Sequence, residues 1–226
     1  AVKLIGPSRG LVVAAAVGGL VSSTVVTLTL ARLAKANSAR LGLLTGSILA
    51  SGAVMMTRVL VLAGVLNLSL ALALAGPLLA AGLFQAAAAA VMIGRDGKDG
   101  ETAEDLVHKN PFLLSEVFRF GAVLAVVMLA AGIAQSVWGS SGLMAVAAIS
   151  GLADVDALTL SVAGMGPASP AGVAAVLLCI AVNNIAKAVY AWMAGGAKLG
   201  LSLFALTLAA MAVAVLAWLL LPLPSL

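Results

Sequence analysis

Charge is scarce in this sequence, and so are aromatic and thiol side chains. Of 226 residues, 9% are Asp, Glu, Lys or Arg, 4% are aromatic, and one is a cysteine. Soluble domains carry about 25% charged residues, so a chain with this little charge would expose large apolar patches to water. A single cysteine excludes an internal disulfide framework and a cluster of thiolate metal ligands. The net charge of +4 comes from scattered Lys and Arg residues that form no basic stripe, and we therefore expect no nucleic acid partner.

Catalytic motifs are also missing. The sequence contains no HExxH, no CxxC, no nucleotide-binding glycine loop and no recognisable Ser/His/Asp arrangement, so we expect no enzyme. The one enzymatic alternative is an intramembrane hydrolase in which Asp154 and Asp156 share a proton as an acid/base pair. Such a pair is expected on two facing helices, whereas these two residues lie on one segment.

Apolar residues dominate instead. They make up 63% of the chain, and the mean hydropathy is +1.22. Because about 20 apolar residues cross the hydrocarbon core of a bilayer, the sequence predicts an all-α polytopic membrane helix bundle embedded in lipid. We expect seven transmembrane helices, near residues 10–33, 41–66, 69–93, 112–137, 142–164, 170–194 and 199–222.

One hydrophilic segment, residues 94–111, interrupts the apolar runs and divides the chain into two halves. The loops on the two sides of the membrane differ in their number of Lys and Arg residues. The loops on the same side as residues 94–111 contain Arg32, Lys35, Arg40, Arg95, Lys98 and Lys109. Those on the opposite side contain Lys3, Arg9 and Lys198. Because positively charged loops stay in the cytoplasm, six basic residues against three predict that the 94–111 loop is cytoplasmic.

The two halves repeat one another. Residues 19–31 and 151–163 match in pattern at a constant offset of 132 positions. Four crossings separate the first and fifth predicted spans, so the two copies have the same orientation and form a parallel repeat about an axis along the membrane normal. The sequence therefore predicts a first repeat at 1–93 with three spans, lacking its first helix, and a second repeat at 112–226 with four.

Several short motifs resemble those of a bacterial membrane family. They are Gly6-Pro7-Ser8-Arg9-Gly10, Gly18-Gly19-Leu20-Val21-Ser22-Ser23-Thr24, Arg58-Val59-Leu60-Val61, Asn110-Pro111, Gly151-Leu152-Ala153-Asp154-Val155-Asp156, and Asn183 with Lys187. Together they are similar to a polytopic membrane domain of unknown function (DUF4010-type) that often follows an MgtC/SapB-like domain. The resemblance implies a multi-pass protein of the bacterial inner (plasma) membrane, further spans ahead of residue 1, and a loose association with magnesium-related proteins. It leaves open two protein partners: an MgtC/SapB-like domain, and a second copy of the chain in a homodimer.

The functional candidates centre on Asp154 and Asp156, the only carboxylates deep inside an apolar segment. An ionised carboxylate at the bilayer centre costs at least ~2.5–3.5 kcal/mol, so it needs a cation, a proton or hydrogen-bond donors beside it. Residues two apart on a straight helix point ~200° away from each other. Either the helix is unwound near Gly151, or the two carboxylates have different partners. Broken helices expose oxygen ligands to ions in many transporters, and Gly18-Gly19 favours a similar break in the first copy.

Arg58 and Lys187 are the candidate counter-charges, since each is the only basic residue buried within its span. In one interpretation, they neutralise the carboxylates of the empty site and are displaced when a cation arrives. In the alternative, each Asp pairs permanently with one of them and only holds helices together. A third interpretation is that both side chains snorkel outward to the membrane surface.

Hydroxyl and amide side chains complete the candidate set, because their oxygens are ligands for hard cations. The candidates are Ser22, Ser23, Thr24, Thr27, Thr159, Asn183 and Asn184. The alternative for the Ser and Thr residues is a hydrogen bond to the carbonyl four residues earlier. We expect no cofactor other than a bound metal cation, with Asp154 and Asp156 as its ligands.

These patterns favour a transporter that moves an inorganic cation, divalent metals included, with proton coupling through Asp154 or Asp156. The site is expected at mid-membrane, between the first and fifth spans and flanked by the second and sixth. The competing class is a non-transporting membrane regulator or assembly partner whose buried polar residues only hold helices together.

Cysteine labelling tests the predicted orientation. In a Cys179→Ser background, we expect Gly97→Cys to resist an impermeant thiol reagent added outside intact cells and to react after lysis, because the 94–111 loop is cytoplasmic. A Lys198→Cys control, on the opposite side, is expected to react in intact cells. Labelling of Gly97→Cys in intact cells would reverse the orientation.

Overall fold

The computed structural model describes residues 7–36, 40–96 and 114–220, with side chains described from Gly10 onward and, in the fourth helix, throughout from Ser136. The described residues are helical, with no β-strand among them, which confirms the predicted all-α class. The helices are α1 (Pro7–Ala36), α2 (Leu41–Leu66), α3 (Leu68–Arg95), α4 (Leu114–Ala153), α5 (Asp156–Gly164), α6 (Pro170–Gly195) and α7 (Ala197–Leu220).

Six helical stretches are long and apolar enough to cross a membrane, so this is a multi-pass membrane protein. They are Gly10–Ala36, Leu41–Leu66, Leu68–Arg95, Ser136–Ala153, Pro170–Gly195 and Ala197–Leu220. The predicted span at 112–137 falls mostly on side chains outside the described residues, as does most of the predicted 94–111 loop.

The predicted fifth span, 142–164, is not one continuous helix. It consists of the second part of α4 and the nine-residue helix α5, separated by Asp154 and Val155. Within α4, Gly139 adopts φ 58° and ψ −140°, a left-handed conformation that glycine tolerates and that bends the helix between the fourth and fifth predicted spans. The prediction of broken helices is confirmed.

Helix α1 is interrupted as well. Ser22 has the extended dihedral angles φ −159° and ψ 104° inside an otherwise helical run. Ser22 precedes Asp154 by 132 positions, which is the offset of the sequence repeat. The two repeated segments therefore lose their helical conformation at matching positions.

The chain forms two compact units, and each contains pieces of both predicted repeats. The division into repeats at 1–93 and 112–226 is not resolved by these units and remains a prediction. The first unit contains α1, the beginning of α2 to Thr57, the end of α3 from Leu79, and residues 187–215. Its core is apolar and rich in alanine, and its buried members are Leu11, Ala15, Leu30, Ala31, Ala34, Leu43, Leu44, Ile48, Leu49, Ala89, Ala188, Ala191, Leu199 and Leu203.

The second unit contains the end of α2 from Arg58, the beginning of α3 to Leu78, and α4, α5 and most of α6. Asn67 is the single residue between α2 and α3. Its Oδ1 accepts a hydrogen bond from the Leu70 amide at 3.1 Å, and its Nδ2 donates to the Gly166 carbonyl at 2.7 Å and the Ala163 carbonyl at 3.5 Å. The α2–α3 turn is thereby tied to the end of α5.

Close glycine contacts join each repeated segment to a neighbouring helix. A Cβ atom on Gly19 would lie 2.9 Å from the carbonyl oxygen of Ser51 in α2, and one on Gly151 would lie 2.6 Å from that of Cys179 in α6. Small residues allow such backbone approach between membrane helices. The end of α4 is therefore packed directly against the α6 backbone.

This packing predicts a difference between two glycines of the second unit. Gly151→Ala is expected to lower the unfolding free energy by about 1–3 kcal/mol, because its methyl group would overpack the contact with Cys179. Gly164→Ala is the matched control, since nothing lies within 4 Å of its added Cβ. The measurement is reversible unfolding in mixed detergent micelles. Equal losses in the two variants would contradict the packing assigned to Gly151.

Candidate functional site

A cluster of three charged side chains lies in the second unit. Nη2 of Arg58 is 2.7 Å from Oδ2 of Asp156 and 4.0 Å from Oδ1 of Asp154. The exposed fractions of the side chains are 12% for Arg58, 26% for Asp154 and 8% for Asp156. One guanidinium thus serves two carboxylates in a largely buried environment, where a charge is tolerated only if it is paired.

The interruption between α4 and α5 explains how both carboxylates reach Arg58. Asp154 is on the non-helical link and Asp156 is the first residue of α5. They are therefore released from the ~200° separation that a continuous helix would impose. Asp156 also lies at the positive end of the α5 dipole, which favours a carboxylate.

Helix α6 supplies an amide to the same break. Asn183, with 1% of its surface exposed, donates a hydrogen bond from Nδ2 to the Gly151 carbonyl at 2.9 Å. That carbonyl belongs to the last turn of α4, where carbonyl groups have no helical partner. The contact fixes the amide orientation, because the flipped amide would place one acceptor oxygen against another. Asn184 is also buried.

Two residues that the sequence analysis missed bind the carbonyl of Asp154. The hydroxyl of Ser150 donates to it at 3.1 Å, and the thiol of Cys179 at 3.7 Å. Ser150 precedes Asp154 by four positions, and Cys179 precedes Asn183 by four, so both spacings match one helix face. These spacings were a signal available in the sequence, although nothing in it indicated which helices face one another.

Lys187 has a different environment from Arg58. Its Nζ lies 2.9 Å from the sulfur of Met55 within the first unit, and 6% of its surface is exposed. Arg58 contacts both carboxylates, and the interpretation in which Lys187 is the partner of one of them stays a prediction. Arg58 does not simply snorkel to the surface.

In the first repeated segment, the candidate hydroxyl side chains lie at and just after the break at Ser22. Oγ of Ser22 accepts a hydrogen bond from the Val25 amide at 3.3 Å and so caps the helix that resumes there. The hydroxyl of Thr27 donates to the Ser23 carbonyl at 2.8 Å. Ser23 and Thr27 are buried, and Thr24 is partly buried.

The second copy repeats this threonine contact. Thr159 donates to the Val155 carbonyl at 2.9 Å. Thr159 follows Thr27 by 132 positions, and Val155 follows Ser23 by the same offset. Thr27 and Thr159 therefore each donate to the carbonyl four residues earlier, which is the alternative to ion binding given for the Ser and Thr candidates. The two threonines stabilise the resumed helices.

The ligand set of the second unit suits a hard cation better than a transition metal. Throughout the described ranges, no group of three or more His, Cys, Asp and Glu side chains is arranged to hold a metal ion. The oxygens near the break come from two carboxylates, an amide and main-chain carbonyls. Oδ2 of Asp154 and Oδ1 of Asn183 are buried atoms with no hydrogen-bond donor among the described residues. Both are acceptors, so they favour a cation or a donor as a ligand.

The chain is similar to one protein family and to one bacterial protein. The profile of a family described as "Domain of unknown function (DUF4010)" matches residues 1–195. A protein of Aquifex aeolicus (strain VF5), described as uncharacterized, is 29% identical over 193 residues, which cover 84% of each chain. No solved structure matches the chain.

The two carboxylates are expected to differ in their effect on stability. Asp156→Asn is expected to cost about 3 kcal/mol of unfolding free energy, because it leaves the guanidinium of Arg58 without its 2.7 Å partner. Asp154→Asn is expected to cost about 1 kcal/mol or less, because its contact is 4.0 Å long and its side chain is more exposed. Steric trapping or denaturant unfolding in micelles measures both values, with the exposed Ser202→Ala as control. A larger loss for Asp154→Asn would contradict the geometry.

Proposed function

The chain belongs to the DUF4010 family, and we propose that it is a membrane transporter of an inorganic cation with Asp154 and Asp156 as the central ligands. The proposal includes no catalytic role and takes the bacterial inner membrane as its location. The single observation that carries it is the interruption of the helix at Asp154–Val155 beside a buried guanidinium. Ionisable residues inside membrane segments are expensive, and they mark ion pathways more often than they serve packing.

The arrangement of the break supports cation binding. Asp154 lies on the link that follows α4, and Asp156 is the first residue of α5. Many transporters present oxygen ligands to an ion at such discontinuous membrane helices. A straight helix would not direct both Asp side chains toward one ion.

Arg58 has a role in this proposal as an internal counter-charge. Two ionised carboxylates in lipid without a cation would each carry a large desolvation cost. With the guanidinium 2.7 Å from Asp156, the site tolerates the absence of its cargo. A transporter needs this property, because its site must be stable in the membrane both with a bound cation and without one.

One observation favours the second candidate, a non-transporting regulator or assembly partner. The 2.7 Å ion pair between Arg58 and Asp156 joins α2 to α5 and would hold them together without any ligand. The two candidates differ in water access, since a transporter requires a hydrated path to Asp154 and a purely structural cluster does not.

The decisive experiment is ion flux in proteoliposomes that contain the purified full chain. We expect uptake of at least one inorganic cation down an imposed gradient, and expect Asp154→Asn to reduce it to the level of empty liposomes. Ser202→Ala, on the exposed surface of α7, is the control and is expected to retain flux. Absence of flux for every alkali and divalent cation in the parent chain would reject the transporter.

The single cysteine provides a native reporter of water access, because the Cys179 thiol lies 3.7 Å from the Asp154 carbonyl. Cycling between states is expected to expose it to a small charged methanethiosulfonate reagent, with modification slowed by the transported cation. The regulator instead predicts that Cys179, with 0% of its surface exposed, stays unmodified until the protein unfolds.

A further inference from the structure

Helix α5 is short and buried on nearly every side. Seven of its nine residues are buried, namely Asp156, Ala157, Leu158, Thr159, Ser161, Val162 and Ala163. Nine residues rise about 13 Å, which is less than half of the ~30 Å hydrocarbon core of a bilayer. A helix buried in this way packs between neighbouring elements instead of facing lipid. Helix α5 therefore fills interior space over part of the membrane thickness.

The two ends of α5 differ in their environment. Its first residue is Asp156, one of the two proposed cation ligands. Its last residue, Gly164, is exposed, and so are Met165 and Gly166 in the turn that follows. The helix thus connects the carboxylates with the surface at which the α2–α3 turn lies. A cation that enters directly from this surface meets α5 before it reaches the site.

The exposed end of α5 is held by Asn67, the residue between α2 and α3. Its Nδ2 donates to the Ala163 carbonyl at 3.5 Å and to the Gly166 carbonyl at 2.7 Å. Ala163 belongs to the last turn of α5, where carbonyl groups have no partner within the helix. The bond to Gly166 is exposed, and an exposed hydrogen bond exchanges for bonds to water at a small net cost. This attachment holds α5 and can still be released.

The other half of the Asn67 amide serves α3. Its Oδ1 accepts hydrogen bonds from the Leu70 amide at 3.1 Å and from the Ser69 hydroxyl at 2.8 Å. An N-cap of this kind requires only a side-chain oxygen, which Ser or Asp supplies as well as Asn does. The amide donor is therefore the part of Asn67 that serves α5, and substitution can separate the two roles.

We propose that α5 is a gate to the two carboxylates on the side of the α2–α3 turn, and that Asn67 is the latch that holds this gate closed. This inference rests on the proposed function, and it names how access to that same site is regulated. The other end of α5 is joined to α2 through Asp156 and Arg58, at 2.7 Å. Because Asp156 belongs to the gate and is also a proposed ligand, a bound cation and the movement of α5 affect each other.

Modification of Cys179 tests the latch in the full chain, because this thiol lies 3.7 Å from the Asp154 carbonyl and 0% of the residue is exposed. Asn67→Ser keeps a cap for α3 and loses the donor to α5. A charged methanethiosulfonate reagent is expected to modify Cys179 about tenfold faster in this variant, which corresponds to about 1.4 kcal/mol. Ser69→Ala removes a contact of Oδ1 and leaves the donor, so it is the matched control and is expected to react at the parent rate. All rates are measured below the unfolding midpoint of each variant.

A reversible cross-link tests the gate without relying on the stability of Asn67→Ser. In a Cys179→Ser background, Asn67→Cys and Gly164→Cys place two thiols at the exposed end of α5, and nothing lies within 4 Å of an added Cβ on Gly164. Joining them with a bifunctional methanethiosulfonate reagent is expected to reduce cation flux in proteoliposomes to the level of empty liposomes. Reduction of the cross-link is expected to restore the flux. Each single-cysteine variant, treated with the same reagent, is the control and is expected to retain flux.

The outcomes separate this inference from the proposed function. Full flux with the cross-link in place overturns the gate and leaves the transporter standing. Equal modification of Cys179 in Asn67→Ser and in the parent overturns the latch. Faster modification in Asn67→Ser, with no flux of any cation in the parent, supports a movable α5 and rejects transport. Absence of both effects rejects both proposals.

Discussion

The cost of a charge in a low-dielectric environment controls the structure of the second unit. Asp156 is only 8% exposed, and it is accommodated because Nη2 of Arg58 lies 2.7 Å from its carboxylate. For Asp154 to reach the same guanidinium, α4 and α5 must separate at Asp154–Val155. The freed backbone then needs partners, which Asn183, Ser150 and Cys179 supply. The ion pair, the break and the polar face of α6 are thus one connected arrangement.

The first repeated segment has a break at the matching position, but a neutral side chain stands there in place of a carboxylate. At Ser22 a neutral hydroxyl caps the resumed helix, so no counter-charge is required for that residue. The threonine contact five residues later is the same in both copies, with lengths of 2.8 and 2.9 Å. The backbone conformation therefore does not depend on the carboxylates.

Local features of the site were predictable from the sequence, and contacts between helices were not. The spacing of Asp154 and Asp156 and the high cost of a buried carboxylate predicted either a broken helix or separate partners for the two side chains, with Arg58 and Lys187 as the candidate basic partners. Whether Arg58 or Lys187 would be that partner depends on which helix faces are in contact, and hydropathy does not report this. The contact of Asn183 with Gly151 is a second example, because both lie in uniformly apolar runs. The repeat located the break to within one turn, at Gly18-Gly19 against the observed Ser22.

The hydrogen bonds of Asn67 give the second unit a mechanical property. The end of α2 and the whole of α5 run side by side and are joined twice, by Arg58 with Asp156 and by Asn67 with Ala163 and Gly166. Arg58 and Asn67 are nine positions apart, which corresponds to about 13 Å of helix. Two separate attachments resist both sliding and rotation of these two segments against each other. The junction at Asp154–Val155 is itself held by Ser150, Cys179 and Asn183, so a displacement of α5 along α2 would have to break both attachments.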